Sequence, residues 1–202
     1  QTEPRRKRRC LPEVAPQADD EHLRINLGQL LQDGYAVVTA AVVHGNDLHR
    51  AFDTAHVLGA GVGLAVRTDA ALRERSFGVF EGLTFAEIEQ RHPAEALRWR
   101  QRDAHFGPDG GETLLAFYQR AVSGVAAIAA GQRGQHVAVV THGGVLDALY
   151  RAAARVALDA PRTWKIGNAS INRLLHGEHG FTLVGWSDDL HLEDPLFEEG
   201  AL

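Results

Sequence analysis

Two apolar runs of strand length, Tyr35 to Val43 and His136 to Thr141, are bounded by glycines, and each leads into a segment of helical periodicity. This alternation constrains the fold more than any other feature of the chain. A run rich in branched apolar residues, with little polar interruption, suits a strand buried on both faces, and such a strand needs helices above and below it. The pattern therefore predicts an α/β fold, a three-layer α/β/α sandwich around a mostly parallel sheet. The second run ends in Thr141-His142-Gly143-Gly144, which neither extends a strand nor caps a helix by ordinary preference.

The remaining elements follow from punctuation. Leu23, Leu27, Leu30 and Leu31 mark a helix within Asp19 to Gln32, closed by Asp33-Gly34. Asn46 is placed to cap a helix running to about Leu58, with Gly59-Ala60-Gly61 ending it and a short strand over Leu64 to Arg67 after it. Thr84-Phe85-Ala86-Glu87 has capping-box spacing, so a helix starts there and breaks near His92-Pro93, and a second helix runs from Pro93 to Arg102. Phe106 to Gly111 reads as a loop. From Thr113, the residues Leu114, Phe117, Ala121, Val125 and Ile128 give an amphipathic helix stopped by Gly131 and Gly134. A helix is expected over Val145 to Val156. Strands near Ile171 to Leu175 and Phe181 to Trp186 suggest a terminal hairpin.

With 202 residues and no change of composition along the chain, one domain over 1–202 is expected, with a lid around 82–112. Trp99, Phe106 and Tyr118 are read either as lid residues over a substrate or as core packing. A net charge of −5 argues against nucleic-acid binding, so the run Arg5-Arg6-Lys7-Arg8-Arg9 is read as a solvated terminus. No apolar run approaches the roughly 20 residues of a membrane span, and no signal-peptide pattern opens the chain. The lone Cys10 makes no internal disulfide, and a cytoplasmic location is expected. The histidines show no paired ligand spacing, so no metal and no cofactor is predicted. Oligomeric state is open, a homodimer included.

Three stretches carry candidate chemistry. In open parallel sheets, ligands bind beyond the carboxyl ends of the strands, where His142 stands. Gly143 and Gly144 let a ligand approach the backbone, and the opening N–H groups of the next helix favour an anion, most often phosphate. Arg50 falls in the first turn of a helix, where a guanidinium can fork onto two phosphate oxygens. The bland alternatives are a satisfied structural His142 and an Arg50 paired to Asp47 or Asp53. Within Leu72 to Gly82, Glu74 lies between two arginines and Glu81 follows five residues after Ser76; here a carboxyl group acts as general acid or forms ordinary ion pairs. His44, before Gly45, also follows an apolar strand and is a weaker candidate for a rim nucleophile.

The motifs THGGVL, NDLHRAFDTA, LRERSFGVFEGLT and GGET, taken in order, resemble successive signatures of the histidine phosphatase superfamily, also called phosphoglycerate mutase-like, from about Asn46 to Leu174. The resemblance implies a phosphatase of small phosphomonoesters. One histidine attacks phosphorus, a second histidine and two arginines hold the phosphoryl oxygens, and a glutamate is the acid. By position, Arg50 is one such arginine, Glu74 the acid and His142 the second histidine; Gly143, Thr2 and Glu81 are added as substrate contacts. The partner implied is a small phosphorylated substrate or inorganic phosphate. A phosphoglycerate mutase-type transfer and an inactive phospho-ligand binding protein are the alternatives, and the modest length favours hydrolysis over transfer.

The family carries its nucleophile in an Arg-His-Gly motif, which this sequence lacks. Gln1-Thr2-Glu3 resembles the continuation of that motif, and methionine is absent altogether, so the first strand and the attacking histidine are expected upstream. Further on, Arg5 stands where the family has asparagine, and Leu11-Pro12 where it has Gln-Gly.

Overall fold

The computed structural model describes residues 42–45 and 49–192. The expected helix Asp19–Gln32, the strand residues before Val42, the basic run, Thr2 and the Asn46 cap fall outside those residues.

The elements are β1 (Val42–Gly45), α1 (His49–Gly61), β2 (Val66–Thr68), α2 (Phe85–Arg91), α3 (Pro93–Arg100), α4 (Leu114–Ala130), β3 (Val137–Val140), α5 (Gly143–Ala154), β4 (Ile171–Gly177) and β5 (Gly180–Asp188). The strands β2-β1-β3 form a parallel sheet in that order, with Val43 opposite both Val66 and Ala138. The β4–β5 hairpin is antiparallel and forms a separate two-stranded sheet among the described residues.

Side-chain parity shows which layer covers which face. Gly45 lies on the Val43 side, where a Cβ would come within 2.9 Å of Ala55 Cβ, so α1 packs there through its buried small residues Ala51 and Ala55. Val139, one residue out of phase, packs against Leu72, Phe117, Ala121, Val125, Val145, Ala148 and Leu149, a cluster drawn largely from α4 and α5. The predicted three-layer α/β arrangement is what forms.

Several boundaries move from those expected. β1 continues through His44 and Gly45, because their backbone pairs with Arg67 and Thr68 of β2 and with Val139 and Val140 of β3. Helix α5 starts at Gly143, so both glycines belong to its first turn. The Thr84 capping box forms in full: its hydroxyl accepts from the Glu87 N–H, and the Glu87 carboxylate accepts from the Thr84 N–H at 2.8 Å. His92 ends α2, and Pro93 opens α3.

The segment 82–112 packs Ile88, Ala96 and Phe106 against Phe80 in a second, small core, with Trp99 stacked on Phe77 and Phe80 at 5.1 and 5.4 Å. Phe106 is therefore packing, and Trp99 packs against it; Tyr118 lies against the main core. No helix among the described residues is long and apolar enough to cross a membrane.

Candidate active site

The chain leaving β2 is pinned across the strand tips before it reaches Glu74. The Asp69 N–H donates to the Gly45 carbonyl at 3.0 Å, and the Asp69 side chain caps the short turn Ala70–Leu72. Leu72 is fully buried, and its carbonyl accepts from Thr141 Oγ1 at the tip of β3, at 2.8 Å. Glu74, two residues on, is thus delivered to the opening turn of α5. Its Oε2 accepts from the Gly144 N–H at 2.9 Å and its Oε1 from the Arg75 N–H at 2.8 Å.

This corrects one expectation. The Gly144 N–H is not a free donor awaiting a ligand, because the protein's own carboxylate occupies it, as the positive end of a helix favours. Gly144 is glycine for the same reason, since a Cβ there would fall 2.1 Å from Glu74 Oε1. A Cβ on Gly143 would meet only Ile166 Cγ2 at 3.9 Å, so that side of the turn is open.

His142 is the N-cap residue of α5, and its side chain caps no helix N–H. It is half-buried, and burial is the main cause holding its imidazole below the ordinary histidine range. The Arg50 charge pushes in the same direction, and the Glu74 charge pushes back. Arg50, Glu74 and His142, 92 positions apart in sequence at the extremes, are therefore gathered within electrostatic reach of one another. Arg50, exposed on the first turn of α1, has no ion-pair partner among the described residues.

The other expected residues fare differently. Glu81 Oε1 accepts from the Phe77 N–H at 3.0 Å and from Ser76 Oγ at 3.3 Å, closing its own loop. Thr2 lies outside the described residues. His44 is a mid-strand residue whose electrostatic neighbours are Arg67 and Asp69; burial is the main cause that lowers its pKa.

Arg120, which carries no motif, and Glu112 of the GGET motif organise the loop. Arg120 on α4 holds Glu112 through two bonds of 2.7 Å, and Glu112 Oε2 also accepts from the Ser76 N–H at 3.1 Å. The GGET motif then has a local reason. A Cβ on Gly111 would fall 2.8 Å from the Ser76 carbonyl, Glu112 grips Arg120, and Thr113 caps α4. Arg75 completes the arrangement, with its guanidinium donating to the carbonyls of Phe106 and Glu112 at 2.9 to 3.0 Å.

Known proteins share this architecture. The chain is 38% identical over 160 residues to phosphoglycerate mutase-like protein 4 of Arabidopsis thaliana, covering 77% of this chain and 67% of that protein. It is 37% identical over 138 residues to glucosyl-3-phosphoglycerate phosphatase of Mycobacterium tuberculosis, covering 64% and 61%. The chain therefore spans about three fifths to two thirds of the length of these relatives. A solved structure of the mycobacterial glucosyl-3-phosphoglycerate phosphatase in complex with VO3 superposes with a TM-score of 0.63 at 33% identity, covering 74% of this chain and 77% of that one. The model of the histidine phosphatase superfamily (branch 1) matches residues 27–189. With four fifths of its length in that match, this chain belongs to the histidine phosphatase superfamily.

Proposed function

We propose that the protein hydrolyses small phosphomonoesters through a phosphohistidine intermediate, and that this chain supplies the groups that hold the phosphoryl oxygens and move the proton. The observation that supports the reading is the Glu74 carboxylate held on the opening turn of α5, next to the His142 cap, with Arg50 and Glu74 both within electrostatic reach of His142. Arg50 forks onto two phosphoryl oxygens, and His142 donates to a third, so that charge developing in transfer meets fixed donors. A histidine of an Arg-His-Gly segment attacks phosphorus, a P–N bond forms, and the ester P–O bond breaks. Glu74, whose oxygens each keep a lone pair beyond the backbone bond they accept, gives a proton to the departing oxygen. Water then attacks the phosphohistidine, Glu74 takes its proton, and phosphate leaves.

We read the chain as one domain and the segment 82–112 as its lid. The relatives, one named a phosphatase and one mutase-like, favour small phosphorylated metabolites as the substrate class. A second reading, a phospho-ligand binding protein without turnover, is favoured by one observation: the sequence contains no Arg-His-Gly. Incubation with an aryl phosphate separates the two. Turnover with acid-labile phosphate on histidine supports the phosphatase; phosphate binding without turnover by a chain that carries an Arg-His-Gly segment supports the binding protein.

A further inference from the structure

We propose that Arg120, on the face of α4 turned to the site, is the positioning residue that holds the Glu74 carboxylate at the opening of α5, with Glu112 fixing the guanidinium in place. The inference rests on the role given to Glu74 above. Between Asp69 and Ser76 the chain crosses the strand tips in short turns, and such a segment keeps its shape only if its carbonyls find donors. The Leu72 carbonyl is held by Thr141, and four others are reached by one side chain. Arg120 Nη1 is aimed at the carbonyls of Ala71 and Arg73 at 2.9 and 3.0 Å, with Ala70 at 3.3 Å, and Nη2 reaches the carbonyl of Glu74 itself at 3.2 Å.

A guanidinium with this many acceptors would be free to swing without a rigid anchor. Glu112 provides one, as a two-pronged carboxylate at 2.7 Å on Nε and Nη2, the geometry a planar fork favours. The Arg120 side chain also lies with its guanidinium carbon 5.2 Å from the centre of the Phe117 ring, which limits its rotation. Lysine cannot reproduce the arrangement, having one nitrogen where five N–H donors in a plane are used. Since Glu112 closes the segment 82–112, its grip on Arg120 ties the proposed lid to the proton-donating group.

The test reads the position of Glu74 through its effect on His142, with no requirement for turnover. The titration of the His142 imidazole is followed by NMR in the full chain, in wild type, Glu74→Gln, Arg120→Ala and the double variant. Removing the Glu74 charge lowers the His142 midpoint. Removing the Arg120 charge by itself can only raise it, whereas releasing Glu74 lowers it, so the two causes differ in sign. The proposal expects Arg120→Ala to lower the midpoint by at least half of the Glu74→Gln effect, and the double variant to go no lower than Glu74→Gln alone. A midpoint that is unchanged or raised in folded Arg120→Ala overturns it, as does full additivity. If Arg120→Ala does not fold, Arg120→Lys gives the same reading, with the same signs expected. Binding of vanadate to wild type, measured separately, reports on the functional reading; failure there leaves the His142 comparison intact.

Discussion

The carboxylate of Glu74 stands where a side chain on Gly144 would stand. The Gly144 N–H donates to Oε2 at 2.9 Å, and a Cβ added at Gly144 would lie 2.1 Å from Oε1. The glycine and the glutamate, 70 positions apart, are one device: the first clears the space, and the second fills it and caps the helix.

Neighbouring glycines should therefore respond to the same substitution with opposite sign. Gly144→Ala forces the carboxylate away and is expected to cost about 1–3 kcal/mol, as overpacking does. Gly143→Ala meets only an ordinary contact with Ile166 and is expected to be neutral or to gain up to about 1 kcal/mol from the restricted unfolded chain. Urea denaturation of both variants checks this; equal losses contradict it.

Asp147 offers a second test, of the wall behind the site. Its Oδ2 accepts from Arg102 Nη2 at 3.0 Å and from Arg151 Nε at 2.9 Å, and the Arg151 side chain is completely buried. Asp147→Ala leaves two cations facing each other without their anion, at an expected cost of about 3–5 kcal/mol. A loss below about 1 kcal/mol in the unfolding free energy shows that the pair is not structural.

The pH dependence of stability has a fixed sign. Hydrogen bonds from Arg120, the largest cause, hold the Glu112 carboxyl below its ordinary value of 4.5. The folded value being the lower one, its contribution is complete above about pH 4.5 and fades as pH falls through the folded value. His142, also held below its ordinary 6.5, adds a loss that begins as pH drops below 6.5, where the unfolded chain takes up protons first. Urea midpoints should show the gap between wild type and Glu112→Gln narrowing as pH falls through the acid range. A constant gap contradicts the assignment.

His44 should be silent. It sits inside β1 with Arg67 and Asp69 as the charges that act on it. His44→Gln is expected to leave vanadate affinity within about twofold of wild type, since neither Arg50 nor Glu74 is among the charges that act on it. A tenfold loss returns His44 to the pocket.

Much of this was legible in the sequence because it is local. The Thr84 capping box, the break at His92-Pro93, the Thr113 start of α4 and the hairpin all follow from residues within a few positions of each other. Arg50, Glu74 and His142 were legible as motif residues. The partner of each was not. That Glu74 caps α5, that Thr141 holds the Leu72 carbonyl, and that Arg120 gathers the carbonyls of Ala70, Ala71, Arg73 and Glu74 are contacts across 46 to 70 positions, and bonds to backbone carbonyls leave no residue-type signature. Trp99 and Phe106 were ambiguous for the related reason that an aromatic ring reads alike in a lid and in a core.

The central claim is that Arg50 and His142 hold one tetrahedral anion, and calorimetric titration of the chain with vanadate tests it most directly. Arg50→Ala and His142→Ala should each weaken binding tenfold or more, about 1.4 kcal/mol or above, while Arg133→Ala on the exposed turn after α4 changes nothing. Equal affinity in all three variants, or no binding by the wild-type chain, contradicts the account.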